Sequence, residues 1–304
     1  MPVYLRMMSG STLVTGAEGF IGRRLVARLS ARGEQVTAWK RADADLLDEG
    51  AVAERLAQIK PARCFHLAGV SARQEGASWR PAAAEVQMLL NVARHLPGAC
   101  TLIYSGSMAE YGRSGRFDEN ARCEPNTAYG FAKFAGTNQA LALRALTGRE
   151  VRVARLFGVY GPGERKPRLG PMLVSSLLAG QSVPLSDGKQ IRDFVHVDDV
   201  CDCLMALTAE AVPPVLNVGT GVGITVREVC EAVAAELCAD PQLLQFGALP
   251  RRDVDEDMLV ADTTLLSKLG CVPPQRWHSR EAIQEIVSDW ISSAGVKPEH
   301  SAIK

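Results

Sequence analysis

Nowhere does this 304-residue chain run to the roughly 20 consecutive apolar residues that cross a bilayer, and its first ten residues lack the apolar stretch of an export signal. A cytoplasmic chain is expected, with the residues before Met7 and Met8 a dispensable lead-in. Net charge is missing as well. Thirty-four Lys and Arg balance 34 Asp and Glu, so no global field draws the chain to nucleic acid or to an anionic membrane. The eight cysteines show no CxxC spacing and no neighbouring His cluster, which removes the usual signature of zinc; no metal is expected, and the thiols read as reduced and mostly buried. Internal repeats and low-complexity tracts are also absent.

What is present is alternation. From Leu13 to Leu156, short β-branched runs alternate with amphipathic helical stretches, the pattern of an α/β doubly wound parallel sheet. Strands are predicted at 12–15, 35–39, 64–67, 101–105 and 151–156, with a helix over 21–32 that stops at Gly33. The run Gly161-Pro162-Gly163-Glu164-Arg165-Lys166-Pro167 cannot continue a regular element and marks a lobe boundary. A nucleotide-binding domain is therefore expected over 1–164, with the chain returning to it at about 193–219. A smaller C-terminal substrate-binding lobe takes 165–192 and 220–304, and Thr225 caps a helix running to Cys238.

The first predicted strand runs through Gly16, Gly19 and Gly22 into a helix. There, bare backbone amides and the positive helix end suit a pyrophosphate, with Phe20 and Ile21 in the first turn. At the end of the second strand, where an acidic residue reads a free ribose 2'-hydroxyl, stand Lys40 and Arg41, with Lys40 24 residues after Gly16. Two cations there suit a 2'-phosphate, which favours NADP(H) over NAD(H).

Tyr129 and Lys133 are four residues apart, on one face of a helix. A phenol has an ordinary pKa of about 10, and a cation one turn away favours its ionised form, so Lys133 is expected to tune Tyr129 as the proton donor. Ser107, at a strand end, is placed to donate a hydrogen bond to the same carbonyl oxygen.

Together these motifs resemble those of extended short-chain dehydrogenase/reductases of the nucleotide-sugar epimerase/dehydratase/reductase family. The resemblance runs over nearly the whole chain, through Thr15–Gly22, Asp45-Leu46, His66-Leu67-Ala68-Gly69, Ser105-Gly106-Ser107, Tyr129 with Lys133, the 155–163 and 192–199 segments and Asn217–Gly221. It implies a Rossmann domain in which Gly16, Gly19 and Gly22 hold the pyrophosphate, Asp45 and Leu46 lie near the adenine, and Leu67, Ala68 and Gly69 lie beside the nicotinamide ribose. Lys133 would also bond that ribose. Ser107, Met108 and Tyr129 would meet the sugar, Arg192 and Arg252 would grip the substrate diphosphate, and the chain would form a homodimer through the Tyr129 helix.

Family dehydratases carry an Asp-Glu pair after the active-site hydroxyl; here Met108-Ala109 follows Ser107, and neither transfers a proton. Glu110, one residue on, is expected to aim elsewhere. Two departures stand out: Gly158 replaces an Asn that contacts the diphosphate, and Glu85 replaces an Asn that supports the site. The reading favoured is NADPH-dependent reduction of the 4-keto group of a nucleotide-linked 4-keto-6-deoxyhexose. The alternatives are an NAD(P)-dependent 4-epimerase and a non-catalytic dinucleotide-sensing protein.

Overall fold

The computed structural model describes residues 10–70, 80–251, 255–277 and 279–294, with side chains described through Ser292. Six strands form the main sheet: β1 (Thr12–Thr15), β2 (Val36–Trp39), β3 (Arg63–His66), β4 (Thr101–Ser107), β5 (Val151–Leu156) and β6 (Val215–Val218). All pair in parallel, in the spatial order β2-β1-β3-β4-β5-β6. The strands lie within two residues of their predicted positions.

Parallel strands covered on both faces read as buried, near-continuous apolar runs. β1, β3 and β5 are buried at every position. Buried polar side chains occur at both ends of these strands, among them Thr12, Arg63 and Arg152 at or near the amino ends and Thr15, His66, Ser105, Ser107, Arg155 and Asn217 at or near the carboxyl ends. The carboxyl edge is where an open parallel sheet binds its ligands, at the point where strand order reverses between β1 and β3.

One face of the sheet is covered by α1 (Phe20–Ala31) and, later in the chain, by the helix Val197–Ala206; their shared core holds Leu25, Leu29, Phe65, Ile103, Val200 and Leu204. Fully burying one such leucine is worth about 1.5–3 kcal/mol. The other face is covered by α2 (Glu49–Ile59), α3 (Arg80–His95) and α4 (Ala128–Thr147), around Leu56, Leu89, Leu102 and Tyr104. α4 starts on a Thr127 cap and ends at Gly148, φ 68°, with Gly130, Ala132, Lys133, Gly136, Thr137 and Ala140 on its buried face. The small residues among them, Gly136 above all, bring the helix close to α3 and β4.

A separate core lies around Leu173, Val229, Trp277 and Trp290, where the helices α5 (Leu169–Leu178) and α7 (Val226–Glu236) meet α9 (Arg280–Ala294); α6 is the Val197–Ala206 helix named above. Thr225 caps α7 in a reciprocal box with Glu228, and the helix stops two residues short of the predicted end. Two details differ from the sequence expectation. Phe194–His196 does not join the main sheet on its return; it pairs in parallel with Gly158–Tyr160 as a two-stranded ribbon. The short helix α8 (Thr264–Lys268), in a stretch expected in the smaller lobe, places Leu266 in the core beneath β6.

Candidate active site

The turn between β1 and α1 is built by close approach. Gly16 has φ +66°, and a Cβ there would lie 2.6 Å from the Ala68 amide nitrogen; a Cβ on Gly22 would lie 2.2 Å from the Gly16 carbonyl oxygen. The glycines thus bring the first turn against the chain leaving β3, and α1 against that turn. Gly19 caps α1 without a side-chain hydrogen bond, and the first turn holds no acidic residue. The amides of that first turn have no partner within the helix and suit an anion, with the helix dipole behind them.

One neighbour of this cradle is not singled out in the sequence as touching it. The Gly161–Arg168 loop, which the composition marks only as a boundary, folds back on α1: Arg23 donates to the Gly163 carbonyl at 3.2 Å, and the Arg168 guanidinium lies 5.7 Å from the centre of the Phe20 ring.

At the end of β2, Lys40 and Arg41 are exposed and form no ion pair with a described residue, which leaves both charges open to a ligand. Asp43, not singled out in the sequence, turns this loop by accepting from the Lys40 amide at 2.7 Å. Asp45 accepts from the Leu47 amide at 3.0 Å, and the buried Leu46 is anchored through its carbonyl by Asn91 at 2.9 Å.

Beyond β3, the Thr15 hydroxyl lies 3.0 Å from His66 Nδ1 and accepts from the Ala68 amide at 3.3 Å. Burial pushes the His66 imidazole down to about 4, so it is neutral at ordinary pH. Leu67, Ala68 and Gly69 follow along the same edge, with Glu85 and Lys133 packed against Gly69.

Ser107 ends β4 and caps a single helical turn, Met108–Glu110; its Oγ accepts from the Ala109 amide at 3.2 Å. Its hydroxyl proton stays free to donate. Met108 packs beside Tyr111, Phe117 and Phe157. Glu110 does turn away, as expected, and the reason is visible. Its carboxylate accepts from the Ser107 amide at 2.8 Å and the Thr137 hydroxyl at 2.9 Å, and it pairs with Arg155 at 2.9 Å with its side chain fully buried. Burial opposes the Arg155 charge, but Glu110 outweighs it and raises that guanidinium above its ordinary value.

Tyr129 is half-buried in the first turn of α4, and Lys133 follows it on the inner face. The Lys133 ammonium is held by a carboxylate and a backbone carbonyl. It donates to Glu85 Oε1 at 2.7 Å and to the Ser105 carbonyl at 3.0 Å. Burial works against both charges of this pair, yet each partner holds the other ionised: Lys133 sits above its ordinary value and Glu85 below. A carboxylate thus shares the ammonium that stands one helical turn from Tyr129.

One of the two departures, Gly158, finds a steric cause. A side chain at Gly158 would meet the Asp193 carbonyl oxygen at 2.8 Å, so the ribbon leaves no space for the amide the family places there. Asp193, buried, accepts from Thr220 N and Oγ1 and from the Gly221 amide at 2.7–2.9 Å, tying the ribbon to the end of β6. Arg192 is not paired with Asp193; it donates to the Glu256 carbonyl at 2.9 Å and lies 3.7 Å from the Glu256 carboxylate. Arg252 lies outside the described residues.

The family described as NAD dependent epimerase/dehydratase matches residues 12–219, from the first strand through the end of β6. The chain belongs to that family. Within the NAD dependent epimerase/dehydratase family it is 37% identical over 285 residues to a dTDP-4-dehydrorhamnose reductase of Streptomyces griseus, covering 88% of this chain and 90% of that one. A dTDP-6-deoxy-L-talose 4-dehydrogenase (NAD(P)(+)) of Kitasatospora kifunensis is 27% identical, covering 90% and 93%. Among solved structures, a Thermus thermophilus UDP-glucose 4-epimerase in complex with NAD superposes with a TM-score of 0.80 at 25% identity, covering 94% of this chain and all of that one.

Proposed function

We propose that this chain is an NADPH-dependent reductase of the 4-keto group of a nucleotide-linked 4-keto-6-deoxyhexose. The observation that carries this reading is a count of proton-transfer groups beside Ser107. Met108 and Ala109 have none, and Glu110 is committed to Arg155 beneath the site. Eliminating water needs an acid and a base besides the hydride acceptor, whereas reducing a ketone needs one proton. The 37% identity to a reductase over 88% of the chain supports the same choice.

In this proposal Gly16, Gly19 and Gly22, with the first turn of Phe20 and Ile21, would hold the pyrophosphate of the dinucleotide, Lys40, Arg41, Asp45 and Leu46 would meet its adenosine end, and Leu67, Ala68 and Gly69 its nicotinamide end. When bound, the nicotinamide supplies hydride. The protein's residues do the rest. The Tyr129 hydroxyl gives its proton to the carbonyl oxygen, the Ser107 hydroxyl donates a second hydrogen bond to it, and the remaining Lys133 proton bonds the ribose. Met108 lines the sugar site, while Arg192 and Arg252, from the smaller lobe and its boundary, would hold the substrate diphosphate through their planar guanidinium groups.

A nucleotide-sugar 4-epimerase is the second reading, favoured by the superposition on the Thermus enzyme. The purified protein should contain no bound NAD, and it should consume NADPH with nucleotide-linked 4-keto-6-deoxy sugars in a panel. Retained NAD and interconversion of 4-epimers without added reductant would replace the reductase by the epimerase.

A further inference from the structure

Glu85 stands on α3 with its side chain fully buried, where the family resemblance places an uncharged Asn. Three donors converge on its carboxylate, each at 2.7 Å: the Val70 amide, the Tyr104 hydroxyl and the Lys133 ammonium. An Asn at this position could accept hydrogen bonds, but it would bring no charge. The consequence of the substitution is therefore electrostatic. A lone buried ammonium would present a full positive charge one helical turn from Tyr129, and a cation that close shifts the ionisation of an acid by roughly 10- to 1,000-fold in proton concentration. With Glu85 in contact, the pair sums to zero.

The other elements packed around this pair do not restore a net charge among the described residues. From β3, His66 is kept neutral by burial. From β4, burial and the adjoining Glu85 keep Tyr104 protonated. From the turn after β4, Glu110 is answered by Arg155 on β5. Thr15 and Thr137 are uncharged.

We propose that Glu85 is a positioning residue that cancels the charge of the Lys133 ammonium one helical turn from Tyr129, so that the phenol meets a carbonyl as a proton donor instead of an alcohol as a base. The second half of that statement rests on the reductase reading; the first half is a property of the protein alone. Glu85 thus biases the site toward reduction while also fixing the ammonium in place.

The test reads the proton on Tyr129 directly, by the tyrosinate absorbance of the full chain, taken as the difference between each background and the same background carrying Tyr129→Phe, with no cofactor or sugar added. In Glu85→Gln, Tyr129 is expected to ionise at a hydroxide concentration at least ~10-fold lower than in the parent, and Glu85→Asp, which keeps the charge, should stay near the parent. An unshifted Glu85→Gln curve overturns the proposal. Should circular dichroism show that Glu85→Gln does not fold, Glu85→Gln with Lys133→Met removes both charges and asks the same question. Ionisation within about threefold of the parent supports cancellation, and a displacement of ~10-fold or more to higher pH shows that the pair delivers a net positive field and overturns it. If the titrations behave as expected but no nucleotide-linked keto sugar is reduced, the charge assignment stands and the reductase reading falls.

Discussion

Arg155 reaches from β5 to Glu110 in the turn after β4, Nε to Oε2 at 2.9 Å, with 6% of the arginine side chain and none of the glutamate's exposed. Breaking a buried pair by removing one partner leaves an uncompensated charge and costs about 3–5 kcal/mol. Arg155→Met is therefore expected to lose that much in urea unfolding. Glu110→Gln should also lose stability, while the turnover of its folded fraction falls far less than that of Tyr129→Phe. A Glu110→Gln protein of normal stability but no turnover would mean that Glu110 acts in the chemistry.

Tyr129→Phe removes the one hydroxyl assigned to protonate the sugar oxygen while leaving Lys133 on Glu85 and the Ser105 carbonyl. Positioned proton transfer contributes about 10²–10⁴-fold, so kcat should fall by that factor. Cofactor affinity, measured by fluorescence titration with NADPH, should hold. A variant that keeps most of its kcat would remove Tyr129 from the reaction.

Cofactor choice is expected to follow the two exposed cations after β2. Each charge-assisted hydrogen bond to a phosphate is worth about 1.5–3 kcal/mol, so Lys40→Asp with Arg41→Asn should lower the NADPH-to-NADH ratio of kcat/KM by ~10-fold or more. Paired steady-state kinetics with the two reduced cofactors provide the measurement. An unchanged ratio would mean that neither side chain meets a 2'-phosphate.

The nucleotide half is legible because its signals are local. A strand buried on both faces is a short apolar run, the glycine turn announces its own close approach, and Tyr129 and Lys133 share a face through helical spacing alone. The pairs that complete the site are long-range. Lys133 meets Glu85 across 48 positions and Arg155 meets Glu110 across 45, and a lone Glu in an amphipathic helix looks the same whether it faces water or a buried ammonium. Phe194–His196 reads as a return to the nucleotide-binding domain, not as a ribbon with Gly158–Tyr160, because three-residue strands are too short to show which partner they take.

Space, too, makes a prediction. The backbone carbonyl of Gly16 occupies the place a Cβ on Gly22 would take, at 2.2 Å. Overpacking of this kind costs about 1–3 kcal/mol, and here relief requires α1 to move away from the turn it helps to close. Gly22→Ala is expected to lower both the melting temperature and NADPH affinity, measured by calorimetry and fluorescence titration. A variant with both unchanged would show that α1 does not need that contact.

Two buried groups titrate in the same interval with opposite effects on stability. His66 is pushed by burial from an ordinary 6.5 to about 4, so between those values the unfolded chain binds the proton and the folded one does not; stability from this group rises with pH across the interval, by about 3 kcal/mol. Glu164, 6% exposed in the loop against α1, is raised by burial from 4.5 to about 7. The folded chain binds its proton first, so stability from this group falls over its interval by a similar amount, about 3 kcal/mol. In the parent the two slopes largely offset each other. His66→Gln removes this rising contribution, so stability from about pH 5 to pH 7 should slope downward relative to the parent; Glu164→Gln removes this falling contribution, so it should slope upward relative to the parent. Urea unfolding at those two pH values separates the variants, and identical pH slopes in the parent and both variants would mean that neither group is perturbed by the fold.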